Sequence, residues 1–155
     1  LNLVFYDCIF ILKKSLLSVP LVGWFVRCAG MIDVDRSAGA AAMRRMLRTA
    51  KERVSEGHSI VIFPEGTRTK VGDAPPYQPG IIALYRKLEL PVVPIALNSG
   101  FFWPRREFVK KSGCIVMEIL PPISPGLSRQ EFMDELKNRI QSATDRLEAE
   151  AKSNG

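Results

Sequence analysis

Cysteine and histidine are scarce in this chain of 155 residues, and long apolar runs are missing. The three cysteines, Cys8, Cys28 and Cys114, lie far apart with no C-x-x-C spacing, and His58 is the single histidine. That leaves too few soft ligands for a structural zinc site, and no metal is expected. Each cysteine has apolar neighbours, which predicts buried free thiols in a reducing compartment. The longest apolar run is Cys8-Ile-Phe-Ile-Leu12. A bilayer span needs about 20 such residues, so this run is too short. No basic stretch precedes it, and a signal peptide is unsupported. The chain opens on Leu1 inside an apolar segment, and its natural N-terminus is expected to lie further upstream.

What is there is a globular composition. Hydrophobic residues make up 46% and charged residues 25%, which excludes a disordered chain, a coiled coil or a collagen-like fibre. The net charge of +6 and pI near 9.5 suit an anionic partner: nucleic acid, an anionic membrane or a phosphorylated small molecule. Charge alone does not choose among them.

Residues 8–12 read as a buried strand ended by Lys13-Lys14, and residues 16–29 as a short helix broken near Pro20. A second strand follows at residues 31–34. The clearest helix spans residues 38–56, with Met43, Met46, Leu47, Ala50 and Val54 on one stripe and Gly57 at its end. Its cations, Arg44, Arg45, Arg48, Lys51 and Arg53, fall off that stripe and read as a solvated face. Strands are expected at residues 59–63, 92–97 and 114–120, and a helix at residues 81–90. Residues 69–80 and 98–106 read as loops, the second carrying Phe101, Phe102 and Trp103. Ser128-Arg-Gln-Glu131 has the capping-box pattern, and Phe132, Leu136, Ile140, Ala143 and Leu147 continue as a helical stripe. One domain over residues 1–147 and a fraying polar tail over 148–155 are expected.

Strands alternating with helices predict an α/β fold with a mostly parallel sheet flanked by helices. Ligands of such sheets gather beyond the carboxyl ends of the strands. That nominates Asp35-Arg36, the Pro64–Arg68 stretch and residues 98–100. The run Ile60-Val-Ile-Phe-Pro-Glu-Gly-Thr-Arg68 is the most informative. Gly66 permits a tight turn and close backbone approach. Backbone N–H groups, the Thr67 hydroxyl and the Arg68 guanidinium suit a phosphate, which arginine binds through paired, charge-assisted hydrogen bonds. Glu65 can fix the loop or orient Arg68. An ordinary strand-to-loop turn with a surface ion pair is the plain alternative.

The order of segments resembles the glycerolipid acyltransferase family. Lys13-Lys14-Ser-Leu16, Pro20, Gly23 and Gly30-Met-Ile-Asp-Val-Asp-Arg36 are similar to its second block. Phe63-Pro-Glu-Gly-Thr-Arg68 matches the third, and Val92-Val-Pro-Ile-Ala-Leu-Asn98 resembles the fourth. The likeness runs over about residues 13–147 and implies a glycerol-3-phosphate acyltransferase-like fold. It also implies transfer of a fatty acyl group from acyl-CoA or acyl-carrier protein to the hydroxyl of lysophosphatidate, at the cytoplasmic face of the inner membrane. No cofactor is implied. By position, Glu65, Gly66, Thr67 and Arg68 would shape the phosphate site, with Arg36 and Lys13 as further candidates and Pro94 on the floor or acyl side.

The sequence departs from that family in one respect. The His-x4-Asp pair that serves as base and orienter is absent: Phe63, not an acid, lies five positions after His58. His58 also precedes the strand whose far end holds Glu65, roughly 20 Å away at strand spacing. The catalytic pair is therefore unassigned within these residues, and the pair is expected upstream. Asp7 reads as an ordinary loop acid. A lipid-binding relative without catalysis is one rival, and a basic nucleic-acid-binding domain using the residue 44–53 helix is another. No nucleic-acid motif supports the second. Purified residues 1–155 alone are expected to show no turnover, and robust acyl transfer by them would contradict this reading.

Overall fold

The computed structural model describes residues 7–35, 38–67, 69–73, 75–104 and 108–153. The chain divides into two compact units. The first is Leu1–Gly66 with Gln78–Leu88, and the second is Thr67–Tyr77 with Glu89–Gly155.

The first unit is built on a three-stranded parallel sheet. Strand β1 (Cys8–Lys13) is its centre, with β2 (Ile32–Val34) on one side and β3 (Ser59–Val61) on the other. Ile11 pairs with Ile32 and Lys13 with Val34; Cys8 pairs with Ser59 and Phe10 with Val61. A continuous apolar run such as residues 8–12 suits a strand paired on both flanks in a parallel sheet. A 3-10 helix (Lys14–Ser18) and helix α1 (Val22–Cys28) carry the chain from β1 to β2. The expected break near Pro20 is thus a change of helix type. The two pieces meet closely. The Gly23 amide donates to the Val19 carbonyl at 2.8 Å, and a Cβ on Gly23 would stand 2.1 Å from the Leu17 oxygen.

Helix α2 (Gly39–Ser55) returns the chain to β3, and α3 (Pro79–Leu88) packs beside it. The predicted stripe faces inward. Met46 and Ala50 are buried with Ile9, Ile32 and Leu84, and Met43, Leu47 and Ile60 close around them. α3 packs against α2 at Gly80, where even a Cβ would stand at an ordinary contact distance, 3.6 Å, from the Met46 methyl. Gly57, with φ of 91°, ends α2 as the sequence predicts.

The second unit contains the antiparallel pair β4 (Ile95–Leu97) and β5 (Met117–Ile119), a short helix α4 (Ser99–Phe102), and α5 (Arg129–Ser153). All strands but β1 are shorter than expected. Val92 still exchanges backbone hydrogen bonds with Ile123, so the chain before β4 is extended without belonging to the strand. The capping box forms: Glu131 Oε2 accepts from the Ser128 amide at 2.9 Å, and Ser128 Oγ accepts from the Glu131 amide at 3.3 Å. Phe132, Leu136, Ala143 and Leu147 are buried along α5, and Ala96 packs on the last two.

Three expectations need correction. The segment from Glu148 does not fray: α5 runs through Ser153, with Glu148 and Ala151 buried. Leu147 and Ala151, four apart, extend the apolar stripe past the point where polar composition hides it. Cys28 and Cys114 are exposed and only Cys8 is partly covered, so apolar neighbours in sequence did not mean burial. Residues 99–102 form α4 rather than loop. There Phe102 is buried, edge-on to Phe101 at 5.2 Å, while Trp103 is exposed. The aromatic cluster is therefore split between core and solvent. Arg105 and Arg106 lie outside the described residues.

Asn98, directly after β4, is a buried polar residue of the second unit, 2% exposed. Its Oδ1 accepts from the Val116 amide at 2.8 Å and its Nδ2 reaches the Cys114 carbonyl at 3.5 Å. The Asn98 backbone amide also donates to the Val116 carbonyl at 3.4 Å, so the side chain reinforces the backbone pairing just beyond β4. Asn98→Ala would leave the Val116 amide without its acceptor, and a loss of about 1–3 kcal/mol is expected in urea unfolding. Unchanged stability would show that Asn98 does not hold the two segments together.

Candidate functional site

Because β2 and β3 both run parallel to β1, the three strands deliver their carboxyl ends to one edge of the first unit. Phe10 pairs with Val61, so Lys13 and Pro64 each lie three residues beyond that pair, on the same edge. Asp35, following β2, is there as well. Its Oδ2 accepts from Lys14 Nζ at 3.0 Å. Asp33, within β2, accepts instead from Arg45 Nη2 of α2 at 2.7 Å.

The stretch after β3 is a tight turn. The Gly66 amide donates to the Phe63 carbonyl at 3.0 Å, with Pro64 and Glu65 between them. Proline presets the first of those two positions. Gly66 itself has φ of 65°, the left-handed region that glycine occupies without steric cost. Gln78, just before α3, clamps the turn from the side. Its backbone amide donates to the Pro64 carbonyl at 2.8 Å, and its Nε2 approaches the Glu65 carbonyl at 3.4 Å. The turn is therefore fixed by one residue thirteen or more positions along the chain, not left as a loose loop.

Glu65 is half-buried. Burial pushes its carboxyl up from the ordinary carboxylate range, offset in part by a hydrogen bond involving its own backbone. Thr67 is exposed and follows Gly66 directly. Lys13 is exposed at the end of β1. Of the six residues expected at the phosphate site, Lys13, Glu65 and Gly66 thus belong to the carboxyl edge of the first unit, and Thr67 is the next residue along the chain. Arg36 and Arg68 lie outside the described residues. Pro94 is fully buried in the second unit. Gln78 was not foreseen; a glutamine ahead of a proline gives no signal that it serves a turn thirteen residues back.

His58 lies at the opposite end of β3, immediately before Ser59. Its amide donates to the Arg53 carbonyl at 3.0 Å, and its Nε2 stands 3.8 Å from Glu56 Oε2. It is partly covered rather than fully on the surface, and it is remote from the turn, as expected. The basic face of α2 is largely neutralised locally: Arg45, Arg48 and Arg53 each pair with an acid. That suits a solvated helix face better than a nucleic-acid patch.

A family model described as Acyltransferase matches residues 1–98, which include the whole carboxyl edge. The chain belongs to the acyltransferase family. Among its relatives in that family is the 1-acyl-sn-glycerol-3-phosphate acyltransferase of Pseudomonas aeruginosa, 34% identical over 132 residues, which cover 85% of this chain and 51% of the relative. The protein of that name from Limnanthes douglasii is 33% identical over 113 residues, covering 72% of this chain and 40% of the relative. Human 1-acyl-sn-glycerol-3-phosphate acyltransferase beta is 30% identical over 118 residues, 75% of this chain and 42% of that protein. The chain spans about half the length, or less, of these relatives. The crystal structure of PlsC, the LPA acyltransferase of Thermotoga maritima, superposes with a TM-score of 0.72 at 24% identity over 92% of this chain and 58% of that one. That likeness bears out the α/β acyltransferase-type fold.

The Glu65 shift has a signed consequence. A carboxyl raised in the folded state binds its proton more tightly there than when unfolded. Ionising it therefore costs stability as pH rises above the ordinary carboxylate range. Glu65→Gln carries no such cost. The variant is expected to melt higher than the parent at about pH 7, with the gap closing as pH falls below about 4. Thermal unfolding across that range checks it, and a variant melting lower at neutral pH would contradict it.

Proposed function

We propose that the protein is an acyltransferase whose acceptor is lysophosphatidate and whose donor is an acyl thioester, acyl-CoA or acyl-carrier protein. The observation that carries this is the clamped Phe63–Gly66 turn at the carboxyl edge of a parallel sheet, in a chain of the acyltransferase family. The chain runs straight from that turn through Thr67 into Arg68.

In this reading the acceptor's phosphate is held by the Thr67 hydroxyl, the turn's backbone and Arg68, with Arg36 and Lys13 contributing positive charge. Arg68 suits the task because its planar fork pairs with two phosphate oxygens at once. The half-buried Glu65 orients the turn. Holding the phosphate fixes the acceptor hydroxyl relative to the donor, which is where most of the catalytic advantage of such a site would lie. The hydroxyl oxygen then attacks the thioester carbonyl; a C–O bond forms, the C–S bond breaks, and the thiol leaves with the proton. No metal or bound cofactor is invoked. These residues contain no His-x4-Asp pair, so the turn supplies recognition and not the base. The product is phosphatidate, used in phospholipid synthesis.

The acceptor has an apolar tail, so the protein works at a membrane surface, which we place at the cytoplasmic face of the inner membrane. Among the described residues no helix is long and apolar enough to cross a bilayer. The net charge of +6 favours an anionic lipid surface.

Release of free thiol from acyl-CoA by the intact protein, in the presence of lysophosphatidate, tests the reading. Arg68→Ala is expected to lower kcat/KM by about 10–100-fold, the scale of a lost charged hydrogen bond. Arg68→Lys should recover only part of that, because lysine offers charge without the fork. Lysophosphatidate binding with no thiol release would favour the non-catalytic rival. Arg68→Ala with unchanged kcat/KM would remove the turn from the acceptor site.

A further inference from the structure

The crossover from β1 to β2 carries an apolar face that the first unit does not bury. Leu21 is 83% exposed and Trp24 70%, with Val19 and Phe25 also exposed beside them. Val26 and Gly23 form the opposite, buried side of α1. The face is held rigidly. The Gly23 amide is bonded to the Val19 carbonyl and the Phe25 amide to the Leu21 carbonyl, at 2.8 and 2.9 Å. The absent side chain of Gly23 lets α1 lie directly on the 3-10 helix. Leu21 also adopts φ of 65°, a left-handed conformation that branched apolar residues rarely take. A strained backbone that projects a leucine into water gains nothing from the fold, and such outliers tend to mark function.

Three further observations say what covers this face. First, residues 13–28 contain Lys13, Lys14 and Arg27 and no acidic residue, and Lys13 is exposed where the stretch begins, with Lys14 paired to Asp35. An apolar face on a stretch of net positive charge suits an anionic lipid surface, whereas a second copy would bring like charge against it. Second, the outward residues are a tryptophan, a phenylalanine and aliphatics, the types that seat at a headgroup boundary. At seven residues α1 is far too short to span a bilayer, so it would lie in the interface plane. Third is position. The 3-10 helix begins where β1 ends, and the Lys14–Asp35 ion pair holds it beside the end of β2. The crossover that carries the apolar face therefore starts at the same carboxyl edge from which the Phe63–Gly66 turn emerges.

We propose that Val19, Leu21, Trp24 and Phe25 form a lipid-docking face that seats the first unit on an anionic membrane, with its carboxyl edge toward the headgroups. This rests on the acceptor proposed above, whose phosphate lies at a membrane surface while its tail stays in the bilayer. Docking by this face would bring that phosphate to the turn without lifting the tail into water.

Flotation with phosphatidylcholine vesicles containing phosphatidylglycerol tests it, using the intact protein and its triple variant Leu21→Asn, Trp24→Gln, Phe25→Gln. Asparagine tolerates the left-handed backbone at position 21. The variant is expected to partition about tenfold or more weakly, because three apolar side chains lose their transfer to lipid. Ile119→Thr, an exposed apolar residue of the second unit, controls for a general loss of surface hydrophobicity and should partition like the parent. Circular dichroism confirms that each variant folds. Turnover of a short-chain, monomeric lysophosphatidate should be unaffected by the triple variant. Partitioning of the triple variant equal to the parent overturns the proposal, as does a change in self-association with vesicle binding intact. Failure of the parent to turn over the soluble acceptor would instead count against the proposed acceptor, while the flotation result still reads the docking face on its own.

Discussion

Parallel pairing on both flanks of β1 is the constraint on which the first unit depends. A strand with two parallel neighbours must send all three carboxyl ends the same way, and the crossovers between them must pass over the faces of the sheet. Everything of chemical interest follows from that. Lys13, Asp35 and the turn after β3 come to one edge because β2-β1-β3 is the strand order, although 21 positions separate Lys14 from Asp35. The core beneath the edge is Ile9, Ile32, Met46, Ala50 and Leu84, so one sheet and two helices support the site jointly.

The turn is the place where that scaffold hands over to chemistry. Proline and a left-handed glycine set its path, and Gln78 holds both of its carbonyls. A phosphate site needs donors that stay put, since each ordering step made at binding subtracts from affinity. Here the ordering is done during folding. The cost is visible in Glu65, a carboxylate held partly out of water at the middle of the turn. In the second unit Asn98 plays a comparable role, its side-chain bonds reinforcing the tie of residues 114–116 to the end of β4.

Much of this was readable from sequence, for local reasons. The α2 stripe, Gly57 after it and the Ser128–Glu131 box are patterns within a few residues, and each appears where expected. The parallel sheet followed from alternation, and the turn from Pro64, Gly66 and its neighbours. What escaped was non-local or directional. Gln78 and Asn98 bond partners more than a dozen positions away. Cys28 and Cys114 have apolar neighbours in sequence, but neighbours do not say which side of an element faces water. The polar composition after Leu147 concealed one more apolar contact, at Ala151, that keeps α5 wound. The apolar composition of residues 16–29 leaves core packing and lipid contact both open for Trp24 and Phe25, and only the packing of α1 on the 3-10 helix turns them outward.

The central claim is that the turn from Phe63 to Thr67 receives a phosphate. Titrating the isotope-labelled protein with glycerol 3-phosphate, and following backbone amides by nuclear magnetic resonance, tests it most directly. Saturable shifts centred on Gly66 and Thr67, absent with glycerol, are what this account predicts. Shifts confined to the exposed cations of α2, with Gly66 and Thr67 unmoved at saturation, would contradict it.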